Sequence, residues 1–131
     1  MGQYNNKEWY KTELNKYLKT YGEVPPPWIV EPHIHPYSIG WRMAGGETFM
    51  MVFGEWFSKT YKTEQEKMNY FKKHTPPSRW MAWVARAIWD IQNSTESHFS
   101  YDPYFQKLID AGFQGVDDYQ KDLDEDKNDD E

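Results

Sequence analysis

The chain has 131 residues, no cysteine, 24 aromatic residues (7 Phe, 7 Trp, 10 Tyr) and a formal charge of -6. The missing cysteines exclude a disulfide scaffold and any thiolate metal or redox site. The acidity is local: residues 117–131 hold nine acids against two lysines, so neither a basic nucleic-acid-binding face nor a whole-body nucleic-acid mimic is expected.

This length suits a single domain, expected over residues 1–123. Leu, Ile and Val number only 15 against the 24 rings, so the core must be built largely from aromatics. Each ring can bury roughly 150–250 Å², enough for a core without disulfides or metal. The first residues, MGQYNNKEWYK, contain no apolar segment, so no secretory signal is expected. The longest uncharged runs are about ten residues, well short of a membrane span. The expected location is the cytoplasm.

Residues 5–21 read as a helix capped by Asn5, with Glu8 as capping-box partner. Tyr10, Leu14, Tyr17, Leu18 and Tyr21 share one face at helical spacing, and Gly22 ends it. Residues 23–46 resist regular structure. Pro25 to Pro27 favour polyproline II, while Pro32 and Pro36 keep a helix from restarting. Trp28–Val30 and Tyr37–Met43 can pair as a short β-hairpin. Residues 47–60 read as a central helix after a Gly45-Gly46 break, with Phe49, Phe53, Trp56 and Phe57 facing inward. Gly54 in its middle costs about 1 kcal/mol against alanine, which a close contact with another element would explain.

Thr63 and Glu66 suggest a capping box for a helix over 64–74, closed by Pro76-Pro77. Ser78 is the expected cap of a helix over 79–92 with Trp80, Trp83, Val84, Ala87, Ile88 and Ile91 on one face and Trp89 opposite. Asp102-Pro103 opens another helix, which runs to about Ala111. Gly112 then fits the C′ site of a Schellman ending, with Phe113 packing on Leu108. Asp117 or Asp118 can cap a last short helix through Leu123. Residues 124–131 are too charged to bury anything and read as a disordered tail. The expected fold is a mostly α domain of five or six helices, with 47–60 and 79–92 as its aromatic centre.

The stretch 25–57 concentrates the residue types that carry function: two of four histidines, three of seven tryptophans, five of eight prolines and four of eight glycines. His33 and His35 would chelate a metal together if the chain were extended, because residues i and i+2 then project to one side. Nothing in the sequence fixes a third ligand, and loop histidines more often bond backbone groups. No metal and no cofactor are expected. Arg42 beside Gly45-Gly46 at a helix start could hold an anion, but Glu47 would repel one, and an ion pair from Arg42 to Glu47 or Glu55 is the simpler reading. His33 or His35 with Ser38 and Asp90 lacks the strand–turn–helix context of a nucleophile elbow. Glu47 and Glu55 stand about 12 Å apart along a helix and cannot act as one acid pair.

Two functional readings follow. The first is a small protein-interaction module, of inhibitor, immunity or mobile-element accessory type, that binds a protein partner through residues 28–47 with Trp28, His33, His35, Tyr37, Trp41, Arg42 and Glu47. These include the residue types that dominate binding hot spots. The second is a small-ligand binder, for an anion or nucleotide-like molecule, or a minor enzyme with a cleft around His33, His35, Arg42 and Glu47. Trp28 and Trp41 can serve either reading or only pin the loop to the core, and a Trp89 face is the next candidate surface. No catalytic residue and no membrane contact are expected.

Overall fold

A computed structural model describes residues 7–42, 44–91 and 95–125. The described chain is mostly helical, with seven α-helices and no strand. It divides into two compact units between Thr63 and Glu64. No helix among the described residues is long and apolar enough to cross a membrane.

In the first unit, α1 spans Glu8–Tyr21 and starts after Lys7. The expected cap Asn5 lies outside the described residues. Tyr10 is buried and Leu14, Tyr17 and Leu18 are half-buried, whereas Tyr21 at the end of the same face is exposed. Gly22 ends α1 in the left-handed region (φ 81°), donating its N–H to the Leu18 carbonyl at 2.8 Å, a conformation that favours glycine.

Among the described residues the expected hairpin does not form. Pro26 has the polyproline II backbone anticipated for it (φ -72°, ψ 163°), but Pro27 then opens a one-turn helix, α2, Pro27–Val30. Proline tolerates the first helical position because its missing N–H would have had no partner there. After turns closed by Ile34 N–H to Glu31 O and Ser38 N–H to His35 O, a 3-10 turn covers Ile39–Arg42. The prolines that prevent a strand are themselves core: Val24 and Pro25 to Pro27 are fully buried.

Helix α3, Ala44–Thr60, begins earlier than its sequence suggests, with Gly45 and Gly46 inside its first turn. A Cβ on Gly46 would collide with the Gly40 carbonyl oxygen and lie 3.0 Å from Trp41 Cα. The glycine therefore permits close approach of the 3-10 turn to α3. Gly54 is different: among the described residues nothing lies within 4 Å of a Cβ placed there, so none of them makes the close contact expected from the sequence. Opposite outcomes follow in thermal melts. Gly46→Ala should destabilise by about 1–3 kcal/mol through forced backbone shifts, whereas Gly54→Ala should stabilise by about 0.5–1 kcal/mol.

Phe49, Val52, Phe53 and Phe57 of α3 are buried. Phe53 stacks on Phe57 at 5.2 Å, and Tyr61 closes edge-on against Phe57 at 5.4 Å. Tyr17 of α1 meets Phe49 edge-on at 5.5 Å, and Trp41 lies 6.1 Å from the same ring.

In the second unit, α4 (Glu64–Lys73) buries Met68, Tyr70 and Phe71. A 3-10 turn at Ser78–Trp80 follows Pro77 and leads into α5, Met81–Trp89, so Ser78 lies inside the turn rather than before it. Asp90 ends α5 in the left-handed region (φ 50°), sooner than the expected 92. Trp80 and Trp83 pack edge-on at 5.6 Å, with Phe71 edge-on to Trp83 at 6.0 Å. Trp89 is half-buried rather than a bare face: its Nε1 donates to Glu64 Oε1 at 2.6 Å, and Tyr104 and the Lys107 ammonium lie against its ring.

Helix α6, Asp102–Asp110, takes Asp102 and Pro103 as its first two residues after Tyr101. Its end is the Schellman motif read from the sequence: Phe113 N–H bonds Leu108 O and Gly112 N–H bonds Ile109 O, both at 3.0 Å, with Gly112 at φ 100°. A 3-10 turn at Val116–Asp118 leads into α7, Tyr119–Glu125. Asp124 and Glu125, read as the start of the tail, belong to this helix, and residues 126–131 lie outside the described ones.

Candidate functional site

The segment between α1 and α3 turns because Pro32 and Pro36 interrupt regular backbone, and it is held by side chains that fold inward. His35 is only 1% exposed. Its Nδ1 accepts the Tyr37 N–H at 3.1 Å, so a ring proton belongs on Nε2 in the neutral tautomer. Its carbonyl accepts Trp41 Nε1–H, also at 3.1 Å, in a buried bond. Ser38 is buried too, and its Oγ accepts the Gly40 N–H at 3.1 Å. Trp28 joins Trp41 in the core. Satisfying buried polar groups in this way fixes one backbone path, since an unmade buried bond costs roughly 1–3 kcal/mol.

The sequence candidates therefore separate. Trp28, His35 and Trp41 are interior anchors, whereas His33, Tyr37 and Glu47 are exposed. The two histidines do not share a face, because the chain between them is turned and not extended. Among the described residues no group of three or more His, Asp and Glu is placed to hold a metal. The Arg42 side chain, with its expected pairing to Glu47 or Glu55, lies outside what is described. Ser38 is engaged through its Oγ as a turn acceptor.

Ile29 and Ile39, apolar residues expected to anchor the loop alongside Trp28 and Trp41, instead point outward. Ile29 is 46% exposed, Tyr37 55% and Ile39 60%. Ile29 follows the buried Trp28 in α2, and Tyr37 and Ile39 flank the buried Ser38. The alternation of inward ring and outward aliphatic was visible in W-I and I-G-W, but the direction of each depends on tertiary packing.

Electrostatics around the segment come from α1, α3 and the loop itself. Burial pushes the Tyr17 phenol above its usual range; Lys16 opposes this, while Glu13, Tyr21 and Glu31 of the loop add to it. Burial likewise raises Tyr10, with the Glu55 carboxylate as a further cause. Glu55 itself is buried in α3, and its Oε2 has no hydrogen-bond partner among the described residues.

No protein-family model, no curated protein and no solved structure matches this chain.

Proposed function

We propose that this protein is an interaction module, of inhibitor or immunity type, that docks on a protein partner through the 28–47 segment, with Ile29, Tyr37 and Ile39 as the contact side chains. One observation carries the reading: three large, mostly apolar side chains are exposed on an eleven-residue stretch whose backbone is fixed from inside by Trp28, His35 and Trp41. Exposing such side chains has no benefit for folding. Fixing them before binding lowers the ordering cost of association. Tyrosine in particular offers large contact area and a polar tip for few rotatable bonds. The complementary partner surface is an apolar pocket, with Glu31, His33 and Glu47 as the exposed polar neighbours on this side.

The test is a set of serine variants, Ile29→Ser, Tyr37→Ser and Ile39→Ser, in the full chain. Each should weaken affinity for a partner captured by the wild type about tenfold or more, as loss of a hot-spot side chain does. Melting temperatures should fall far less than for a core variant such as Phe53→Ala, because these side chains are about half exposed. Undiminished affinity in the triple variant would refute the reading.

A further inference from the structure

We propose that the second unit carries a binding cleft for an organic cation, an alkylammonium or guanidinium head group, between α6 and the 116–120 segment. The cleft has a volume of about 630 Å³, within the range of small-molecule sites. Its lining residues include Tyr101, Phe105 and Tyr119, Asp102 and Asp117, and Gln106 and Gln120, with no Lys, Arg or His among the described residues. A smaller recess of about 490 Å³ shares Ile109, Val116 and Asp117 with it.

The rings form one array. Tyr101 stacks on Phe105 at 5.5 Å and 13°, and Phe105 meets Tyr119 edge-on at 5.1 Å. The array continues through Phe99 to Tyr104 and on to Trp89. Ring faces carry negative quadrupolar potential and attract cations within about 6 Å. The protein already shows this behaviour at the far end of the array, where Lys107 Nζ lies 5.4 Å from the Trp89 centroid and 5.9 Å from that of Tyr104. At the cleft end, Tyr101 and Phe105 have no such cation among the described residues.

The carboxylates point to the same ligand. Asp102 and Asp117 are exposed, and neither side chain has a hydrogen-bond or ion-pair partner among the described residues. The neighbouring acids differ: Asp110 accepts from Gln106, Asp124 from Gln120 and Asp122 from Arg79. Residues 101–125 carry seven acids against two lysines, so the local field attracts positive and repels negative groups. Aromatic walls with free carboxylates suit a weakly hydrated organic cation better than sodium, which gains little from a ring when it must shed water. A free amine and the side chain of a basic peptide offer the same head group.

The experiment is a titration of the full chain with tetramethylammonium and with an arginine-containing peptide, read by aromatic NMR shifts at constant ionic strength. Saturable shifts of the Tyr101, Phe105 and Tyr119 rings, absent with sodium, are expected. Asp117→Asn should weaken them about tenfold, as loss of a charged partner does. Gln120→Lys, at an exposed position, should abolish them by placing a competing cation at the cleft, and it serves if Asp117→Asn fails to fold. Tighter binding of the peptide would identify a protein source for the head group, and equal binding a free amine. Shifts that do not saturate, that sodium reproduces, or that survive Gln120→Lys would overturn the proposal. None of these outcomes depends on the loop between α1 and α3.

Discussion

Phe53→Ala is expected to cost about 3–5 kcal/mol, as deletion of a buried ring does when the cavity cannot fully collapse. Phe53 is nearly inaccessible and sits at the middle of the α3 stripe, 5.2 Å from Phe57, 6.1 Å from Phe49 and 6.3 Å from Trp56. The first unit has few aliphatic residues to flow into the space, because its core is made of rings that are rigid beyond their second torsion. Natural domains hold only about 5–15 kcal/mol in total. Urea unfolding followed by circular dichroism should show the midpoint collapse toward zero denaturant. A variant with nearly unchanged midpoint would place the core elsewhere.

The second large effect is expected at Asp122. Its Oδ2 accepts the Arg79 backbone N–H at 2.8 Å and the Arg79 Nε–H at 3.3 Å, while Oδ1 accepts Nη2–H at 3.1 Å. Both side chains are less than one-third exposed, so the pair escapes much of the screening that makes surface bridges weak. The contact ties α7 to the 3-10 turn that starts α5, across 43 residues of sequence. Asp122→Ala removes these bonds to the Arg79 guanidinium and to the turn N–H. The loss should be about 2–3 kcal/mol, and α7 should detach first. Hydrogen exchange resolved by segment would show early opening at 119–125, with Asp122→Asn retaining part of the protection. Equal protection in Asp122→Ala would mean that α7 is held by Leu123 and Val116 alone.

Local signals in the sequence reached the structure well. The Gly22 and Gly112 endings, the Phe49–Phe57 stripe and the mostly helical class all depend on residues within one or two turns of each other. The misses have a common cause in longer-range packing. Gly45-Gly46 reads as a break until Gly40 is seen against the helix, where only a residue without Cβ fits. Pro27 reads as extended backbone, yet it opens a helical turn at the first position, where its missing N–H is no loss. The Asp122–Arg79 pair joins the last short helix to the start of the helix read over 79–92, across 43 residues that no local pattern connects. In the candidate site, Trp28, Trp41 and Tyr37 were visible as a cluster of ring side chains. Their division into anchors and contacts required the His35 bonds that hold the loop, and no periodicity encodes those. The cleft near Tyr101 likewise joins residues from two segments whose spacing carries no motif.

The central claim, that the anchored loop presents its outward side chains to a protein partner, has a direct test. A photoreactive phenylalanine analogue is placed at Tyr37 in one protein and at Trp9, an exposed ring of α1, in another. Irradiation with the captured partner should give a covalent adduct from position 37 and little from position 9. Equal adducts from both positions, or an adduct from position 9 alone, would contradict it.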